Sequence, residues 1–366
     1  FEYIKNLNDS TGCLDEIENM GMTISLWTHE IEDYQPEWGP IELDNERLWK
    51  ELHDRYVYLC DTMLPQIDYI ILTLAESRSW TSGYDMTLKT CKTVYEACKA
   101  CDVKLIVRTF IYPDKQGDAA FKVFEEMPDD IIIMSKYGPK DWNAFGIIHP
   151  YLGKYAPKME ILEDDIGGEY YKANRTAHCM IDYMKNRFDN PNRFWGINIR
   201  VNRGFDPVNY RGSVYGAAQE ADLWGFAYWA TGKADNVEVP LHDWAANTFG
   251  DSLADVTAEI FRATGKVMAN SVFISGEPFG DTRKDVPAIR TTGGLRKNGS
   301  KSPLKKARRL DTIKPVVGIS PFVQGRSNCL NDSSWIPNLV KLVKGDVELI
   351  TEKEKIYTET INLANE

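Results

Sequence analysis

The chain has 366 residues and a mass of 41.7 kDa, enough for one large domain with an appendage or for two domains. Hydrophobic residues make up 43% and charged residues 27%, which excludes wholesale disorder, and no apolar run reaches the ~18 residues of a membrane-spanning helix. The net charge of −11 argues against nucleic acid as the main partner, because phosphate binding needs a basic field.

In chain order, short apolar runs alternate with longer helical patterns. The chain opens at Phe1 rather than Met and has no signal-peptide core. Strands are predicted at Met22–Trp27, Tyr69–Leu74, Lys104–Phe110, Ile131–Lys136, Met159–Asp164 and Trp195–Val201. Each run is rich in β-branched or aromatic residues and apolar nearly throughout, as in parallel strands covered on both faces. Helices are predicted between them at Asn45–Met63, Met86–Cys101, Ala119–Met127, Tyr171–Phe188 and Val214–Ala230, with Asp118 a candidate N-cap and Asn209 on the approach to the last.

This alternation builds either a doubly wound sheet or a (β/α)8 barrel. No GxGxxG or GxxxxGK[ST] follows any strand, which weakens the nucleotide-binding sheet. Polar residues instead follow almost every strand: His29-Glu30, Glu76 to Arg78, Lys136 to Asp141, Glu163 to Glu169 and Asn202-Arg203. Barrel enzymes carry their chemistry at these strand ends, so a TIM-type barrel is expected. Its catalytic part spans residues 1–240. Six strands against the eight of a closed barrel imply that the first two βα units are absent. Such a barrel would expose strand edges, so another segment, the amino-terminal part of the same gene product, is expected to complete it.

Residues 241–366 are expected to form a helical region, with helices at Leu241–Phe249, Leu253–Val272, Ile336–Val343 and Thr351–Leu363. Within it, 273–334 is irregular and carries ten Lys and Arg between Arg283 and Arg309. That stretch reads as a solvated connection or as a polyanion-gripping loop.

Cys13, Cys60, Cys91, Cys98, Cys101, Cys179 and Cys329 are odd in number and scattered, which disfavours a full disulfide framework. Cys98 and Cys101 have redox spacing, but at the end of a helical segment rather than at a strand-to-helix turn. Sequons begin at Asn8, Asn174, Asn298 and Asn331 and bear on structure only in a secretory context.

Glycoside hydrolysis needs two carboxyl functions, a protonated acid for the leaving oxygen and an ionised base or nucleophile. Glu76, Asp141 and Glu169 follow three different strands and can meet at one barrel mouth. Arg108 and Lys136 lie within otherwise apolar strands, where an unpaired cation costs several kcal/mol. They read either as structural salt bridges or as a clamp for an anionic group. His29 and Glu30 are candidate ligand contacts or capping residues. No HExxH or 2-His-1-carboxylate spacing occurs, so no metal or cofactor is expected. Glu163–Asp165 could hold Ca²⁺ but reads more simply as a hydrogen-bonded loop end. No GxSxG supports a serine triad.

The stretches DIIIMSKYGPKD, ILEDDIGGEYY, AQEADLWGFAYWATG and DWAANTFGD together resemble glycoside hydrolase family 67, the α-glucuronidases. In that family a strand ending in Lys-x-Gly-Pro-x-Asp carries one water-activating carboxylate, and a Glu before Tyr carries the other. Lys136, Gly138, Pro139 and Asp141 match, and Glu169-Tyr170 falls 28 residues after Asp141. RTFIY, from Arg108 to Tyr112, matches an Arg-aromatic strand, and Glu76 falls near the distance of the general acid. The resemblance runs from about Met22 to Gly250 and lacks the family's amino-terminal β-domain and first two barrel units. It implies Glu76 as general acid and Asp141 with Glu169 as activators of water. Arg108, Lys136, His29, Glu30, Trp142 and Arg203 are the expected substrate contacts.

The expected function is inverting hydrolysis of a uronic or other acidic sugar in a plant or algal polysaccharide. A polysaccharide lyase on uronate chains and a non-catalytic carbohydrate-binding barrel are the alternatives. The expected partner is an acidic oligosaccharide or polysaccharide, with no nucleic acid and no membrane. A periplasmic or secreted location is favoured over a cytoplasmic one.

Overall fold

The computed structural model describes residues 2–29, 38–74, 83–109, 121–136, 153–155, 158–166, 179–189, 194–200, 219–274 and 277–278, with scattered positions from 351 to 365. It divides into two compact units: Phe1–Lys136 with Tyr151–Leu162, and Tyr137–Pro150 with Glu163–Glu366.

Six parallel strands form one sheet: β1 (Ser25–His29), β2 (Tyr69–Thr73), β3 (Lys104–Thr109), β4 (Ile132–Lys136), β5 (Met159–Asp165) and β6 (Gly196–Arg200). Their order in the sheet is their order in the chain. A doubly wound sheet reverses its strand order at a switch point. A sheet without reversal is consistent with part of a TIM-type (β/α)8 barrel. The apolar runs place five of the six strands to within a residue or two. The first is a correction: β1 starts at Ser25 and ends at His29, so His29 belongs to the strand and not to the loop after it.

In the first unit, helices α1 (Glu2–Thr11) and α2 (Cys13–Asn19) precede β1. Both are short, and only Leu14 of the two is buried, with Ile4, Cys13 and Ile17 packed partly against the core. Helix α3 (Glu46–Tyr58) begins at Asn45, whose side-chain oxygen accepts from the Leu48 amide at 3.2 Å. It buries Leu48, Trp49, Leu52 and Tyr56 and runs into a wider turn at Leu59–Met63. Helix α4 (Tyr84–Ala100) buries Thr87, Thr90, Cys91, Val94, Tyr95 and Cys98 along one stripe. Gly83 precedes it at φ +94°, a backbone angle side-chain-bearing residues rarely adopt. A short helix α5 (Val123–Glu126) precedes β4.

The two faces of this sheet carry different clusters. Leu26, Ile70, Leu72, Leu105, Val107 and Ile133 join α3 and α4 in the larger core. Trp27, Tyr69, Ile71, Ile106, Ile132, Met134, Met159 and Ile161 form a separate cluster on the opposite face. That division follows from the two-residue alternation of a strand. Thr28, on the helix-covered face, meets the Tyr56 hydroxyl of α3 at 2.8 Å.

In the second unit, α6 (Ile181–Phe188), α7 (Glu220–Ala230), α8 (Glu238–Phe249) and α9 (Ala254–Val272) enclose a core that includes Met180, Met184, Phe226, Trp229, Leu241 and Trp244. The α7 pattern is apolar on nearly all sides, as a helix buried within a core requires. Strands β7 (Phe273–Ile274) and β8 (Glu277–Pro278) pair antiparallel, so the stretch read as irregular from 273 begins with two short paired strands. Among the described residues no helix is long and apolar enough to cross a membrane.

Candidate functional site

The strand-end row of the first unit is set by register. His29 of β1 pairs with Thr73 of β2, and Thr73 pairs with Arg108 of β3. Arg108 pairs with Met134 of β4, and Lys136 lies two residues further along the same face. Beneath this row lies the apolar layer of Ile71, Ile106 and Ile132, which Met134 joins from the row itself. The inner face therefore changes from apolar to polar and cationic at the carboxyl ends of its strands, where barrel enzymes carry their chemistry.

Arg108 and Lys136 are both 2% exposed. The guanidinium carbon of Arg108 sits 4.5 Å from the ring centroid of Trp27, a cation–π contact. The Trp27 indole N–H also donates to His29 Nε2 at 3.3 Å. One indole thus touches two of the expected substrate contacts. Thr73 is fully buried in the same row, and its hydroxyl has no hydrogen-bond partner among the described residues. On the opposite face of β4 and β5, the buried Glu160 carboxylate accepts from the Ser135 hydroxyl at 2.5 Å and the Gly153 amide at 2.6 Å, while burial pushes its pKa up.

The second unit holds two further carboxylates. Glu163 is fully buried, with Arg200 Nη1 of β6 3.9 Å from its Oε1. Asp164, its neighbour on the other face of β5, is ion-paired with Arg187 of α6. Both carboxylates lie within β5, which corrects their reading as a loop end, and each is engaged by an arginine. Among the described residues no group of three or more His, Cys, Asp or Glu side chains is placed to hold a metal ion. The described cysteines are free thiols. The neighbouring Cys60 thiol and burial raise the Cys98 pKa.

Of the expected site residues, His29, Arg108 and Lys136 are described and share one face of the sheet. Glu76, Asp141, Glu169, Glu30, Trp142 and Arg203 lie outside the described residues, as do Asp118 and Asn209. Trp27 and Thr73 were not singled out by residue spacing. Their signal was alternation: both share the parity of inner-face residues, but only register shows that they flank His29 and Arg108.

The fold and this face define an α/β protein whose parallel sheet presents buried cations at its strand ends. No protein-family model matches the chain, and none of the curated proteins matches it. Among solved structures, its fold is similar to that of a GH138 enzyme targeting pectin rhamnogalacturonan II, at a TM-score of 0.51 and 12% identity. The likeness covers 96% of this chain and 51% of that one, so the chain spans about half the length of that enzyme. The likeness is one of fold and does not point specifically to family 67.

Proposed function

We propose that the chain is part of a glycoside hydrolase that cleaves a bond to a uronic acid or another acidic sugar of a plant polysaccharide. The observation that carries this reading is the pair of buried cations, Arg108 and Lys136, on the inner face at the ends of adjacent strands. A buried cation attracts an anionic group strongly where water is scarce, and a guanidinium fork matches a carboxylate. The likeness to an enzyme targeting pectin rhamnogalacturonan II supports an acidic plant polysaccharide as substrate class.

In the finer form of this proposal the reaction is inverting and α-glucuronidase-like. Glu76 protonates the leaving oxygen, and Asp141 with Glu169 activates water on the opposite face of the sugar. Arg108, Lys136, His29, Glu30, Trp142 and Arg203 hold the substrate. The acid and base carboxyls then stand roughly 6.5–9.5 Å apart, leaving room for that water.

The test is turnover of a panel of uronate-bearing oligosaccharides by the full chain and by Glu76→Gln. A saturated product of inverted configuration, lost in the variant, supports the reading. An unsaturated product detected by absorbance would instead identify a lyase, and binding without turnover a non-catalytic barrel.

A further inference from the structure

We propose that Trp27 is a positioning residue for acidic-sugar recognition, holding the Arg108 guanidinium over its ring face and setting the tautomer of His29 with its indole N–H. This inference rests on the reading of the strand-end row as an acidic-sugar site and adds a residue to it.

The ring does two different things with two different parts. Its face lies against the Arg108 guanidinium, 4.5 Å from centroid to Cζ. An arginine side chain otherwise has many rotamers. A guanidinium held over a ring face keeps fewer of them, and two-pronged recognition of a carboxylate needs its N–H fork held in place. The floor beneath Arg108 is otherwise aliphatic, built from Ile71, Ile106 and Ile132 with Met134 beside it, and offers no other aromatic platform in that cluster except Tyr69. Tyr69 stands four residues before Thr73, the partner of Arg108 in register, and so lies toward the amino-terminal end of the sheet.

The edge of the ring acts on His29. The indole N–H is a donor only, so His29 Nε2, 3.3 Å away, must be the acceptor. An imidazole whose Nε2 accepts is neutral and carries its proton on Nδ1. Trp27 thereby keeps the His29 proton on Nδ1. Because Trp27 and His29 alternate along one strand, this arrangement follows directly from β1 and needs no loop.

The experiment uses the full 366-residue chain and the variants Trp27→Phe, Trp27→Leu and Arg108→Gln. Binding of D-glucuronic acid and of D-glucose is measured by calorimetry, and the His29 tautomer by ¹⁵N NMR. Trp27→Phe keeps a ring face, so glucuronic acid binding stays within about 3-fold, while Trp27→Leu weakens it roughly 2- to 30-fold. Glucose binding falls less than glucuronic acid binding in Trp27→Leu. In the parent chain His29 is protonated at Nδ1; in Trp27→Phe that preference is lost.

Equal losses on both sugars in Trp27→Leu would reduce Trp27 to core packing and overturn the inference. So would an Nε2–H tautomer in the parent chain. If Arg108→Gln loses glucuronic acid selectively and Trp27→Leu does not, the acidic-sugar reading stands and this inference falls. If the parent chain shows no preference for glucuronic acid over glucose, the acidic-sugar reading itself falls.

Discussion

Arg108 concentrates the energetics of the strand-end row. It is buried against an apolar layer, and its charge is compensated on one side by the face of Trp27. Replacing it with Gln keeps the length nearly constant and removes the charge. Loss of a charge-assisted hydrogen bond of ~1.5–3 kcal/mol weakens binding of an acidic sugar roughly 10- to 150-fold. A neutral sugar of the same linkage is much less affected, and affinities measured for both check this. Thr73 gives the opposite expectation. Its buried hydroxyl has no partner among the described residues, and an unsatisfied buried hydroxyl costs free energy in the folded state. Thr73→Val keeps the β-branched shape and should raise stability by about 1 kcal/mol in urea unfolding. A loss of stability would show that the hydroxyl makes a structural bond.

At the scale of elements, the second unit depends on close helix packing. Gly265 of α9 is placed so that an added Cβ would lie 2.3 Å from the Cys179 carbonyl oxygen. The neighbouring Thr264 hydroxyl accepts from the Cys179 amide at 2.9 Å and holds the two segments together. Alanine is the better helix former, but the backbone must move to admit its methyl. Gly265→Ala should therefore lower stability by ~1–3 kcal/mol, the reverse of the helix-propensity expectation. Asp222 of α7 joins the same core. It is fully buried, and its Oδ1 accepts from the Met180 amide at 2.8 Å while Oδ2 has no hydrogen-bond partner. Burial pushes its pKa well above the ordinary carboxylate range. The folded state therefore binds a proton that the unfolded chain releases near pH ~3.9. This contribution is fully present below that value and is lost as pH rises from there through the raised folded value. Asp222→Asn keeps the acceptor without the ionisation. Its stability gain over the parent chain should grow with pH across that window in thermal melts, and a pH-independent difference would contradict the protonated assignment.

For the whole molecule, the charge balance opposes its proposed substrate. Lys and Arg number 43 against 54 Asp and Glu, so a polyanion is repelled at long range and attracted only by local cations. Salt screens the first effect more than the second, because the Debye length falls from ~30 Å at 0.01 M to ~8 Å at 0.15 M. The kcat/KM for an acidic oligosaccharide should therefore rise over that range, while a neutral one stays flat. A fall with salt for the acidic substrate alone would place a positive field around the mouth.

The strands β2, β3 and β4 were legible in the sequence because they are covered on both faces and so read as apolar runs. Arg108 and Lys136 were legible because a cation interrupts such a run. Helices α1 and α2 were not, since helices of ten and seven residues span too few turns for a pattern to stand out. Sequence by itself determined the alternation of strands and helices, the apolar layer and the cations above it. Tertiary structure alone decided that strand order follows chain order, that His29 ends β1, and that Thr73 stands between His29 and Arg108. It also decided that one indole serves both His29 and Arg108. The physical reason is that alternation fixes which face a side chain takes within its own strand, whereas register between strands, set by packing and hydrogen bonding far apart in sequence, fixes which side chains meet.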